Sequence, residues 1–206
     1  MDRANAAYYA SHAADCAARY ETAPVDTLHE LLRKLARHRP RALDIGGGSG
    51  RDAALLRQLG CHTTYADACS QMRDQALQLH PELAEQAVLA TFPLPDRHPW
   101  FDQPFDLILA AGLIMHLDDR GLQRFAHQIP RLLTPGGHLV LSHSNGRNRL
   151  GCPDTPPGRQ LRERAPEIVQ TVFEQAGLTT LQRIDTPDSL GRNQLTWTTH
   201  VLQMKH

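Results

Sequence analysis

The sequence predicts a single α/β domain built on an open, doubly wound sheet, mostly parallel, with helices on both faces and an antiparallel hairpin of strands at its C-terminal end. Three observations predict it. Short strand-like runs alternate with helix-like runs four times between Arg41 and Ser144. The run "FDLILAAGLI", from Phe105, is apolar almost throughout, as in a parallel strand buried on both faces. The last two strand-like runs, "LTTLQRID" and "QLTWTTHVLQMK", have no helix between them, which points to an antiparallel edge.

In chain order, Ala4 to Tyr20 is alanine-rich and favours helix, with Tyr8, Tyr9 and Tyr20 as its main groups to bury. Residues 1–25 are therefore expected as a helical appendage or lid. After Pro24, Leu28, Leu31, Leu32 and Leu35 recur at i, i+3, i+4 and i+7, the stripe of an amphipathic helix, with Asp26 as its N-cap. A strand from Arg41 to Ile45 enters a glycine turn, followed by a helix to Leu59 that stops at Gly60. "CHTTYAD" (Cys61 to Asp67) is rich in β-branched and aromatic residues and forms the second strand. "SQMRDQALQLH" is a helix closed before Pro81, and "QAVLATF" a short third strand.

"DRHPWFDQP" has no periodicity and is a loop before the fourth strand. "DDRGLQRFAHQI" sets Leu122, Phe125 and Ile129 at helical spacing, with Pro130 breaking or kinking the helix, and "TPGG" turns into the strand "HLVLSHS". Residues 145–165, rich in Gly, Pro and Arg, are expected as a long basic loop, a kind that is usually functional or mobile. A helix over Pro166 to Ala176 should turn Ile168, Val169, Val172 and Phe173 inward and stop at Gly177. Trp197, inside the last strand, is expected in the core.

The 206 residues suffice for one domain with a real core, and 41% apolar with 21% charged residues is ordinary for a globular protein. Lys plus Arg and Asp plus Glu number 22 each, so no global positive field gathers nucleic acid or anionic membrane. Cys16, Cys61, Cys69 and Cys152 form no CxxC pair or metal-finger spacing. The N-terminal stretch lacks a signal-type apolar core, and no segment reaches bilayer-spanning length. A reduced, cytoplasmic protein is expected. His138 and His143 differ by an odd number along a strand and should face opposite sides, which argues against a shared metal.

"RALDIGGGSGRDAALL" carries the chemistry. Glycines let backbone N–H groups approach a ligand, and the helix that follows aims its positive end at it. The dinucleotide fingerprint GxGxxG requires a third glycine where this chain has Arg51, which disfavours a nicotinamide-dependent oxidoreductase. No Walker lysine follows, so a triphosphate cradle is not expected. Asp44 precedes the first glycine by two residues, and Asp67 closes the second strand where a carboxylate can accept both ribose hydroxyls. A ribose-bearing ligand without phosphates fits best. Asp44 has the alternative role of hydrogen-bonding the turn amides.

"LDIGGGSGRDAALL", "YADACSQM", "FDLILAAGLIMHL" and "LLTPGGHLVLSHS", in that order, resemble the class I S-adenosylmethionine-dependent methyltransferases, whose Rossmann-like fold matches the sheet expected here. The words "GSGRDA", "MHL" and "SLGR…TW" further resemble a small bacterial branch of them. The resemblance implies that Asp44 and the backbone of Gly46, Gly47, Gly48 and Gly50 face the amino-acid end of S-adenosylmethionine. It implies that Asp67 holds the ribose, with Ala68 after it among the cofactor-binding residues, Met72 flanks the adenine, Arg51 begins the helix beneath, and Ala111 with Gly112 run near the methyl group. Where the family often places an acid for the adenine amine, this chain has Ala90, Thr91 and Phe92, leaving Thr91 and Phe92 to serve through backbone, hydroxyl or ring. Tyr20, with Tyr8 and Tyr9, would belong to a lid.

Methyl transfer from a sulfonium needs a dry pocket and in-line approach more than it needs a base. His116, just past the fourth strand, and His143, at the end of the fifth, are the candidate catalytic residues, able to orient an acceptor or take its proton. Arg147, Arg149, Arg159, Arg162 and Arg164 could steer an anionic small substrate or a phosphate backbone, or be solvated surface. A small-molecule acceptor is expected. The rival readings are a noncatalytic cofactor-binding scaffold or partner subunit and, against the neutral charge, an RNA or protein methyltransferase.

Overall fold

A computed structural model describes residues 3–38, 40–146, 159–192 and 195–205. Seven strands, β1 (Arg41–Ile45), β2 (His62–Asp67), β3 (Ala87–Leu89), β4 (Phe105–Ala111), β5 (Leu133–Asn145), β6 (Leu178–Pro187) and β7 (Thr196–Met204), form one sheet in the order β3-β2-β1-β4-β5-β7-β6. The first five run parallel, and β7 lies antiparallel between β5 and β6. The chain winds outward from β1 to β3 and then crosses back to β4. The carboxyl ends of β1 and β4 therefore flank the point where strand order reverses, the usual ligand crevice of such sheets.

Strand alternation sorts the core into two layers. Leu43 and Ile45 of β1, Ile108 of β4 and Leu139 and Leu141 of β5 pack on one face. There they meet Phe125 and Ile129 of α6 (Asp119–Leu132) and Val169 and Phe173 of α7 (Pro166–Gln175). Ala42, Leu107, Leu109 and Val140 face the other way, toward Leu31 and Leu32 of α3 (Asp26–Leu35) and Leu56 of α4 (Arg51–Gln58). α5 (Ser70–Leu79) packs Ala76 against Tyr65 and Ala53.

Several local expectations change. The N-terminal helix is broken into α1 (Arg3–Ser11) and α2 (Ala13–Thr22) at His12. There the Ser11 hydroxyl and His12 Nδ1 both bond to Tyr8 O, and the imidazole stacks on the Tyr8 ring at 4.5 Å, local bonding that competes with a regular helix. Val25, not Asp26, holds the N-cap position of α3, and Asp26 lies in its first turn. The third strand shrinks to three residues. α6 runs past Pro130 to Leu132, because in the last turn the missing N–H costs one bond near an end that frays anyway. Ile168 is 56% exposed, one step off the inward stripe of Val169, Val172 and Phe173. Gly60 and Gly177 adopt the left-handed conformation expected of helix stops. Of the long loop, residues 147–158, with Arg147, Arg149 and Cys152, lie outside the described residues. Among those described, no helix is long and apolar enough to cross a membrane.

Candidate functional site

A cavity of about 830 Å³ opens at the carboxyl ends of β1, β2, β4 and β5. Its floor is the glycine turn. The amides of Gly46 and Gly47 donate to Ala66 O of β2 at 2.8 and 3.2 Å, and the Tyr65 hydroxyl donates to Gly48 O at 2.8 Å, pinning the turn to the second strand. Gly46 and Gly48 have φ of +70° and +57°, and added Cβ atoms would stand 3.0 Å from Leu113 and 3.2 Å from the Tyr20 ring. Glycine is thus required there by conformation and by the nearness of the opposite wall.

Two carboxylates face this floor under different conditions. Asp67 accepts the Gly48 amide on Oδ2 at 3.1 Å and the Cys69 amide on Oδ1 at 2.8 Å, leaving lone pairs on both oxygens for a ligand. Burial raises its pKa, and the amides of Cys69 and Gly48 partly offset that. Asp44 is 2% exposed, and its Oδ2 has no hydrogen-bond partner among the described residues. Burial, then the charges of Asp52 and Asp67, push its pKa well above the usual carboxylate range. Asp67, rather than Asp44, therefore ties down a turn amide, while Asp44 accepts the Ala53 amide of α4 and keeps its Oδ2 buried without a described partner.

Arg51 and Asp52 open α4. Burial acts to raise Asp52, but hydrogen bonds from His29 (2.8 Å) and Arg51 (2.9 Å) outweigh it and hold its pKa below the ordinary value. Arg51 also donates to Tyr20 O and, at 3.1 Å, to Ala23 O. It thereby fastens the carboxyl end of α2 over the turn, a role a third glycine could not fill. His80 and Glu21 make a second tie at 3.2 Å.

Tyr20 and Tyr9 from α2 and α1 line the cavity with Ala111, Gly112 and His116 from the end of β4 and the turn after it. Tyr9 Oη lies 3.2 Å from His116 Nε2 and 3.4 Å from Tyr20 Oη. Burial, then neighbouring Tyr20, raise the Tyr9 pKa, so its phenol stays neutral. Ala68, Met72, Thr91 and Phe92 line the cavity beyond β2 and β3. The loop after β6 closes the remaining side. There the Trp197 indole donates to Asp188 at 2.9 Å, and Arg192 binds the same carboxylate at 2.6 Å. Burial works against Asp188, but the bonds from Arg192 and Trp197 hold its pKa at about 2.

The structure brings every predicted site residue to this cavity except Gly50 and His143. Gly50 is turned the other way: a Cβ on it would meet Leu83 at 2.9 Å and Ala76 at 3.1 Å, so it serves packing against α5 and its following turn. For His143 the reason is strand parity. Ser142, paired with Thr199, lines the cavity, whereas His143, paired with Thr198, points to the opposite face. There its Nε2 meets His200 Nε2 at 3.3 Å, with the rings parallel and both residues buried. Trp197 is a cavity wall rather than core, on the same strand face as Thr199. Residues the sequence reading did not single out for the cavity include Arg19, Leu113, Met115 and Asp188; only strand and loop pairings distant in sequence reveal them. Among the described residues no group of three His, Cys, Asp or Glu could hold a metal.

Comparison with known proteins places this geometry. A family model described as a methyltransferase domain matches residues 15–185. Glycine N-methyltransferase of Rattus norvegicus is 28% identical over 145 residues, covering 64% of this chain and 48% of that protein. The chain thus spans about half the length of that relative. Among solved structures, the N-methyltransferase NodS from Bradyrhizobium japonicum, in complex with S-adenosylhomocysteine, is similar with a TM-score of 0.75 at 19% identity, over 100% of both chains. The 1,6-didemethyltoxoflavin-N1-methyltransferase from Burkholderia thailandensis, with its substrate and S-adenosylhomocysteine bound, gives 0.74 at 18% identity, covering 98% of this chain and 88% of that one.

Proposed function

The chain belongs to the methyltransferase-domain family, and on that premise we propose that it binds S-adenosylmethionine in the cavity above its glycine turn and transfers the methyl group to a small-molecule acceptor. The observation that carries the reading is the pairing of Asp67 with the glycine turn. Its two oxygens, each held by one amide, keep free lone pairs directed at a cavity whose floor is stripped of side chains.

The residues fit the cofactor. The orphaned Oδ2 of buried Asp44 suits the ammonium of an amino-acid end, which would restore charge balance and reverse the rise in its pKa. Asp67 suits the ribose hydroxyls, Met72 and Phe92 suit the adenine faces, and Thr91 supplies a polar edge where no acid stands. When bound, the cofactor supplies an electrophilic methyl group on a sulfonium.

The chain's own residues supply position and dryness. Tyr9, Tyr20, Leu113 and Trp197 wall the cavity and exclude water, which keeps the nucleophile unsolvated and the approach in line. The His116 ring is oriented through Nε2 by the Tyr9 hydroxyl and stands where an imidazole can align the acceptor. Calorimetry on protein freed of copurified ligand should show one equivalent of S-adenosylmethionine or S-adenosylhomocysteine bound. A labelled-methyl screen against a metabolite pool should then show transfer. Absence of binding by either cofactor form abandons the reading.

A further inference from the structure

We infer that Arg159 is the anion-binding residue of the acceptor site and that the acceptor carries a carboxylate; this rests on the methyltransferase reading above and names its substrate class.

Arg159 lines the cavity on the side of His116. Its Nη2 donates to Tyr9 Oη at 2.6 Å, and its guanidinium lies 5.6 and 5.3 Å from the ring centroids of Tyr8 and Tyr9. That phenol is its single hydrogen-bonding partner among the described residues, and its Nε is buried without one. No described carboxylate lies within ion-pair distance of it. A guanidinium does not shed its proton, so a cation held in this setting calls for an anion, and neutral phenols supply only part of the compensation. The other cavity arginines differ. Arg51 is matched by Asp52 and Arg192 by Asp188. Arg19 has no carboxylate partner among the described residues either, but it stands 5.5 Å from the centroid of the Tyr20 ring, which itself covers Gly48 on the cofactor's side.

The segment carrying Arg159 is built into place. Asn5, fully buried, exchanges two hydrogen bonds with the backbone of Gln160, at 2.9 and 2.8 Å. The Arg162 amide donates to Met115 O at 2.8 Å, and Arg164 grips Ile114 O, Leu117 O and Asp119. Residues 159–164 are therefore fixed to the lid on one side and to the turn bearing His116 on the other. Tyr9 Oη bridges Arg159 and His116, so an anion seated on the guanidinium leaves the rest of the acceptor beside His116 and Gly112. One guanidinium with a neutral phenol balances one negative charge, and its planar edge matches the two oxygens of a carboxylate. A dianionic phosphate would bring a second charge and a tetrahedral array of oxygens that the single planar edge of Arg159 does not match.

The test is calorimetry on the full-length protein saturated with S-adenosylhomocysteine, titrated with acetate and benzoate, with acetamide and benzamide as neutral isosteres, and with inorganic phosphate. The carboxylates should bind at least tenfold more tightly than the amides. Arg159→Gln should lose that discrimination, Arg159→Lys should keep part of it, and both should hold S-adenosylhomocysteine within twofold of the parent, which also certifies their folding. Equal binding of carboxylates and amides overturns the inference, as does an unchanged carboxylate affinity in Arg159→Gln. A tenfold loss of S-adenosylhomocysteine in both variants assigns the guanidinium to the cofactor's own carboxylate and also overturns it. Tighter binding of phosphate overturns the substrate class. Failure of the parent protein to bind S-adenosylhomocysteine defeats the methyltransferase reading itself, whereas normal cofactor binding without carboxylate preference defeats this inference alone.

Discussion

Acidification should destabilise this protein through two histidines that lie away from the cavity. His143 and His200 are 1% and 0% exposed, and burial lowers both pKa values to about 4, assisted by His200 for the first ring and by Arg183 for the second. Unfolded histidine titrates near 6.5, so between those values the unfolded chain binds more protons than the folded one. Stability is then fully present above about pH 6.5 and is lost as pH falls toward 4. Between pH 7 and pH 5 the loss is about 2 kcal/mol per ring, or about 4 kcal/mol for the pair. Asp44 and Asp67, with raised pKa values, act in the opposite direction, so the pair must be isolated by difference. Urea unfolding of the parent and of His143→Leu/His200→Leu at both pH values does this, since exchanging both hydrogen-bonded partners for apolar groups leaves neither orphaned. The parent should lose about 4 kcal/mol more than the double variant. A difference below about 0.5 kcal/mol, within the error of such extrapolations, would show that the rings are not held neutral by burial.

Other outcomes follow from the cavity. Asp67→Asn replaces an anionic acceptor and leaves one of the two amides facing an NH2 group, so it should weaken S-adenosylhomocysteine binding roughly tenfold or more, about 1.5–3 kcal/mol by calorimetry, and lower stability by about 1–3 kcal/mol. Gly48→Ala forces a Cβ against the Tyr20 ring at a positive φ, and should cost about 1–2 kcal/mol of stability in urea titration together with cofactor affinity. Arg51→Ala removes the bonds to Tyr20 O and Ala23 O, and should speed hydrogen exchange in α2 while β1 and β4 stay protected; unchanged exchange in α2 would refute its clamping role. In a Trp100→Phe background, Trp197 is the remaining indole and lines the cavity, so its fluorescence should respond to S-adenosylhomocysteine.

What the sequence made legible was local. The glycine turn, Asp44 and Asp67 are set by residues within one strand-turn-helix and the strand beside it, and the observed β1 runs from Arg41 to Ile45 as expected. The sheet class followed from the alternation of short runs, because a two-sided apolar strand such as β4 has few other environments. Features that depend on direction were not legible. Gly50 has the same sequence context as Gly48 but turns its missing Cβ toward α5. His143 and Ser142 exchange faces with a one-residue step in register, which only the pairing with β7 settles. Arg159 and Arg164 are indistinguishable by composition, yet among the described residues one has no carboxylate partner and the other is paired with Asp119. The separation between Asn5 and Gln160, 155 positions, explains why no local pattern announced their contact.

That contact has a kinetic consequence. The described helices over the cavity are fastened by Asn5 to Gln160, by Tyr9 to Arg159 and His116, by Arg51 to the carbonyls that end α2, and by Glu21 to His80. Each tie is only a few hydrogen bonds, weak enough to open by local fluctuation while the sheet beneath stays folded. Under the proposed function, a spent cofactor seated below them would leave no faster than these ties release, and because the segment bearing Arg159 is among those tied, an acceptor on that arginine would slow the release further. On that reading, the pace of repeated turnover would be set by the fastening of residues 3–22, apart from the chemistry at the sulfur.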